Sequence, residues 1–144
     1  MDTEINQLTE QIIGAAIEIH KDLGPGLLES AYQKAVAHEF RLRKLPCEEQ
    51  KLCAVRYKDL PIEGGYRLDF PVDQGVVVEI QAIDALLNVH AQVLTYVRFS
   101  PCRIGLLLNF RTTLFTKYGL KRLARWPLCR SSAFSMANSS FSFS

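Results

Sequence analysis

The chain has no apolar run approaching the roughly 18 to 20 residues of a membrane span, and its opening, MDTEINQLTE, lacks the basic-then-apolar order of a signal peptide. Both absences make a cytoplasmic protein with no membrane partner the expectation. None of the four cysteines, Cys47, Cys53, Cys102 and Cys129, belongs to a CxxC pair or has histidines at zinc spacing, so a structural zinc knuckle has little support and free thiols are expected. There is no internal repeat. No glycine-rich loop long enough to cradle a phosphate is present either; Gly24-Pro25-Gly26 is too short and reads as a junction between helices. Acidic residues are missing altogether from residues 85–144, which carry 8 basic ones, whereas residues 1–84 hold all 15 acidic and 9 basic residues. A net charge of +2 therefore conceals a basic C-terminal half, which points to an anionic partner, with nucleic acid the foremost choice.

At 144 residues and 48% apolar content the chain suffices for one domain with a real core. Residues 4–23 set Ile5, Leu8, Ile12, Ala15, Ile19 and Leu23 at three- and four-residue steps, an amphipathic helix that Gly24 ends and after which Pro25 suits entry to the next. A second helix is expected over about 27–44. From Glu48 the period falls toward two, giving a first strand with Cys53, Val55 and Tyr57 on one side, then a turn at Lys58-Asp59-Leu60-Pro61. Residues 62–72 read as one second strand, Asp73-Gln74-Gly75 as a turn, and Val76 to Ile80 as a buried central strand. Helix over 84–99, strand from Arg103 to Phe110 and a short element from Leu114 to Leu123 complete the domain, expected to span 1–126. Residues 127–144, rich in Ser and Phe, are expected to be an unstructured tail.

A hairpin centred on Gln74 would set residue 72 against 76 and 70 against 78, leaving Asp69 directly opposite Glu79. Opposed side chains in an antiparallel pair lie about 5 Å apart at Cβ, where two like charges destabilise unless a positive charge sits between them. A divalent cation is the natural neutraliser, and hard oxygen donors suit Mg²⁺. Period two places Gln81 on the same face as Glu79, so that Asp69, Glu79 and Gln81 converge.

Gly26-Leu27-Leu28-Glu29-Ser30-Ala31-Tyr32 fits a GxxExxY signature. With Tyr66-Arg67-Leu68-Asp69, Val78-Glu79-Ile80-Gln81-Ala82, His90-Ala91-Gln92 running on to Tyr96, Gly105 to Phe110, and Gly119-Leu120-Lys121-Arg122, it makes the chain resemble, from about residue 5 to 125, the bacterial GxxExxY family of the PD-(D/E)XK nuclease superfamily. The resemblance implies an α/β fold of the restriction-endonuclease type: two N-terminal helices, a three-strand meander, a helix and a strand, with a central mixed sheet of four to five strands flanked by helices. It implies a metal-dependent nuclease using Mg²⁺ or Mn²⁺, with Asp69 and Glu79 as metal ligands and Glu29 as a third acid supplied by the preceding helix. Gln81 would position the attacking water. Tyr32, His90, Gln92, Tyr96, Lys121 and Arg122 would meet the nucleic acid, DNA before RNA, and Gln92 and Tyr96 resemble a QxxxY element of recombination-type exonucleases. Arg98, Arg103, Arg111, Lys117 and Arg125 would add sequence-independent phosphate contacts. Oligomeric state stays open, a homodimer included. One departure stands out: the family pattern has lysine where this chain has Gln81, which carries no positive charge. The alternative to an enzyme is therefore a weakened or inactive nuclease-like module that binds nucleic acid or a protein partner.

Overall fold

A computed structural model describes residues 2–73, 75–84, 93, 97–98, 102–125 and 141–143. The first amphipathic stripe forms α1, Asp2–Leu23, and the second α2, Glu29–Leu42. Gly24 ends α1 as its sequence suggested: its backbone is left-handed (φ 75°) and its N–H donates to the His20 carbonyl at 2.8 Å. Pro25 does not begin α2, however; the helix starts four residues later, with Leu28 at the cap and Glu29 in its first turn, where a negative charge is favoured by the helix dipole.

The strands are β1 (Lys51–Tyr57), β2 (Leu60–Leu68), β3 (Phe70–Val72), β4 (Val76–Gln81), β5 (Ile104–Asn109), β6 (Leu120–Arg125) and β7 (Phe141–Phe143). β3 to β7 form one mixed sheet in sequence order, with β4 and β5 parallel and every other pair antiparallel. A parallel pair requires a crossover between its strands. The helix expected there, 84–99, lies mostly outside the described residues, of which Val93, Val97 and Arg98 are helical.

One expectation needs correction. The meander is interrupted: residues 62–72 are not one strand but two, bent at Asp69, and β1 and β2 pair as a separate two-stranded ribbon. The bend redirects the side chains, so that Leu68 packs with Val77 and Cys102 while Phe70 and Val72 join the main core. At the sheet edge Phe141–Phe143 pairs with Leu123 to Arg125; the rest of the segment 127–144 lies outside the described residues.

The main core lies between the helices and one face of the sheet. Ile12, Ala15 and Ile19 of α1 and Tyr32, Val36 and Phe40 of α2 meet Val76, Val78 and Ile80 of β4 and Leu106 and Leu108 of β5. Val93, Val97, Leu107 and Leu123 make a smaller cluster on the opposite face. The two helices are locked together by Tyr32, which is fully buried. Its hydroxyl donates to the Gly24 carbonyl and accepts from the Leu27 N–H at 3.1 Å, and its ring stacks on Phe110 at 4.5 Å.

Removing that hydroxyl would leave the Leu27 N–H and the Gly24 carbonyl without their partner. Tyr32→Phe is therefore expected to lower stability by about 1–3 kcal/mol without changing the secondary structure, as read by urea denaturation and circular dichroism.

Candidate metal centre

The β3–β4 hairpin has the register read from the sequence: Val72 pairs with Val76 and Phe70 with Val78. One step further the two opposed residues are Asp69 and Glu79, and here side chains replace the ladder. The Asp69 N–H donates to Glu79 Oε2 at 3.0 Å, and the Ile80 N–H donates to Asp69 Oδ2 at 3.0 Å. Each carboxylate thus caps an amide of the other strand. Asp69 is 9% exposed and Glu79 4%, a depth at which an unpaired charge is costly.

Glu29, half-buried in the first turn of α2, is close enough for its charge to act on Glu79 and for that of Asp69 to act on it. All three acids have raised pKa values. For Glu79 burial dominates, followed by the charge of Asp69; the Asp69 N–H opposes them and Glu29 adds to them, pushing the value up to about 9. Burial also raises Asp69, against the pull of the Ile80 amide, the Gln50 side chain and the charge of Arg67. For Glu29 burial leads again, then the charge of Asp69, with the Ala82 backbone opposing. Three acids sharing one end of a sheet therefore resist ionising together.

The structure shows supports that sequence reasoning missed. The Gln50 amide donates to Asp69 Oδ1 at 3.3 Å and to Gln33 Oε1 at 3.4 Å, and the Gln33 amide donates to Glu29 Oε2 at 3.5 Å. Asn109, buried at the end of β5, accepts from the N–H groups of Ile83 and Arg111 and donates to the Ile83 carbonyl at 2.9 Å. Together with the Phe110 N–H on the Gln81 carbonyl at 2.9 Å, it fixes the segment that follows β4. A buried Asn closing a strand was the signal available for Asn109; nothing local marked Gln50.

Other expected site residues divide. Gln81 is half-buried at the end of β4, paired with Asn109. Tyr32 is a correction: with its ring enclosed and its hydroxyl taken by two backbone groups, it holds the helix junction and has no face to offer a nucleic acid. Lys121 lies opposite Leu107, itself beside Glu79, and so shares the face of Glu79. Arg122 points to the other face and donates to Asn6 of α1 at 3.1 Å. Arg103, Arg111 and Lys117 are exposed and Arg98 half-buried. His90, Gln92 and Tyr96 lie outside the described residues, as does the side chain of Arg125. His20 is satisfied structurally, its Nε2 2.6 Å from the Thr112 carbonyl oxygen.

Among the described residues no group of three or more His, Cys, Asp or Glu stands ready-made around one point. The donor chemistry nevertheless fits a hard divalent cation: two carboxylates meet across adjacent strands, a third stands nearby, and every donor is oxygen.

The raised pKa of Glu79 has a consequence for the metal-free protein. Its folded pKa of about 9 lies above the ordinary 4.5, so its contribution to stability is fully present below about pH 4.5 and is lost as pH rises toward 9. In chelator, stability is expected to fall across that window by on the order of a few kcal/mol. Glu79→Gln should flatten the decline, as read by urea denaturation at stepped pH.

No curated protein and no solved structure matches the chain significantly. The family model described as the PD-(D/E)XK nuclease superfamily does match, over residues 6–123. That span takes in both helices, the bent β2–β3 passage with Asp69, the β4 strand with Glu79, and β5 with Asn109. The chain belongs to the GxxExxY family of the PD-(D/E)XK nuclease superfamily.

Proposed function

We propose that the chain is a metal-dependent nuclease that hydrolyses nucleic-acid phosphodiester bonds, with Asp69 and Glu79 holding Mg²⁺ or Mn²⁺ and Glu29 as a further acidic ligand. The superfamily is typically made of metal-dependent phosphodiesterases, and the observation that carries the reading for this chain is the buried Asp69–Glu79 pair. Burial raises the pKa of both acids and the charge of Asp69 raises that of Glu79 further, so ionising the pair at the edge of the core is costly for as long as nothing neutralises it. A bound divalent cation supplies that neutralisation, lowers the pKa of a coordinated water and offsets charge on the phosphoryl oxygens.

The protein's own groups would do the rest. The Asp69 and Ile80 amides hold the two carboxylates in place. Gln81, on the Glu79 face, would accept or donate a hydrogen bond to orient water, with no ammonium to stabilise developing negative charge. Lys121 on the same face of the sheet, with the exposed Arg103, Arg111 and Lys117, would meet phosphates, giving binding that weakens with salt and reads little sequence. DNA is the preferred substrate class and RNA the alternative.

A second reading is favoured by one observation, glutamine at 81 in place of the family lysine: a nuclease-like module that binds nucleic acid or a protein partner without cutting. Incubating the chain with labelled single- and double-stranded DNA and RNA under Mg²⁺, Mn²⁺ or chelator separates the two. Cation-dependent cleavage is expected, falling by on the order of 10²-fold or more in Asp69→Ala and Glu79→Ala, and rising in Gln81→Lys. Nucleic-acid affinity that is unchanged in chelator, with no cleavage by wild type under either cation, would establish the binding module instead.

A further inference from the structure

The β1–β2 ribbon does not stop at its last paired residues, Lys51 and Leu68. Its register runs on past the bend: the Gln50 N–H donates to the Asp69 carbonyl at 2.8 Å, the Glu48 N–H to the Pro71 carbonyl at 3.3 Å, and Cys47 bridges to Val72. Asp69 therefore has an opposed residue on each side, Glu79 across one edge and Gln50 across the other. Side chains directly opposed in an antiparallel pair project from the same face. Gln50, Asp69 and Glu79 form a single row.

Gln50 also occupies the left-handed region, with φ 55°. A long side chain without special tolerance for that region is strained there, and such strain persists where surrounding structure enforces it. Its amide orientation follows from its partners. A carboxylate only accepts, so the Gln50 NH₂ must face Asp69; its second hydrogen goes to Gln33 Oε1, which leaves the Gln33 NH₂ for Glu29. Two neutral amides in series thus join the strand carboxylate to the helix carboxylate. Both carboxylates reach this bridge through one oxygen, and neither amide brings a charge that would compete with a cation.

We propose that Gln50 is a positioning residue of the metal centre: through Gln33 it sets the placement of Glu29 on α2 relative to Asp69 on the sheet, so that the third carboxylate is presented to the same ion. The inference rests on the metal-centre reading and names how its helix-borne ligand is held. The bonds of the bridge measure 3.3 to 3.5 Å.

Substituting Gln50 by glycine separates this role from a structural one, because glycine relieves the left-handed strain while removing the amide. Mn²⁺ binding to the full chain would be followed by titration calorimetry for wild type, Gln50→Gly, Gln50→Met, Gln33→Met and Asp69→Ala, with thermal midpoints in chelator alongside. Expected are a metal-free midpoint in Gln50→Gly no lower than wild type and Mn²⁺ affinity about 10- to 100-fold weaker in Gln50→Gly and Gln50→Met. Gln33→Met should weaken affinity in the same direction. Wild-type affinity in Gln50→Gly or Gln50→Met, or a Gln50→Gly chain that no longer folds, overturns the inference and leaves the metal centre standing. Wild type with no saturable Mn²⁺ binding removes the metal centre itself and the inference with it.

Discussion

Between β3 and β4 the backbone ladder ends one residue early, and two carboxylates complete it. Glu79 takes the Asp69 N–H, Asp69 takes the Ile80 N–H, and both acids are thereby drawn into the margin of the core. The proposed function rests on this clasp. It satisfies two backbone amides that would otherwise be buried without partners, at the cost of placing two acids side by side where water is scarce. Burial opposes charge on both, the charge of Asp69 further opposes that of Glu79, and the backbone donors offset only part of this opposition.

The rest of the fold holds the clasp against relaxation. Ile80 and Val78 bury their side chains under α1 and α2 while Glu79, between them, faces the other way, so β4 cannot rotate the acid toward water without exposing the core. Tyr32 ties the α1–α2 junction and sets the first turn of α2, which carries Glu29. Asn109 fixes the chain beyond Gln81. Among the described residues the buried acids, with the strained Gln50 beside them, depart from the rules of a stable interior, as a functional site is expected to.

Some of this was legible in advance. Turn chemistry at Asp73-Gln74-Gly75 set a register that the structure keeps residue for residue, and it identified Asp69 and Glu79 as opposed. The alternation through β4 identified the buried strand. Less legible was the bend at Asp69. Residues 66–72 keep an unbroken apolar alternation, and only the capture of amides by side chains across the hairpin shows why the strand breaks there. Gln50 was hidden for a related reason. Counting back from the turn at Lys58-Asp59, Asp69 would face Glu48; a register shift between Cys53 and Val55, where β2 carries two extra residues across Glu63-Gly64-Gly65, brings Gln50 opposite instead. Tyr32 was misjudged because a helix-borne tyrosine looks the same in sequence whether its hydroxyl meets solvent or a neighbouring turn.

What the sequence determined by itself was periodic and local: the two amphipathic helices, the left-handed stop at Gly24, the β3–β4 register, and the pairing of two acids across a tight turn, all fixed by residues a few positions apart. Tertiary structure alone decided which amides steady them and which basic residues share their face, Lys121 toward Glu79 and Arg122 toward α1. Those outcomes depend on a register shift, a strand order and a helix docking angle. Each is settled by packing between segments distant in the chain, and no spacing of residues along it encodes them.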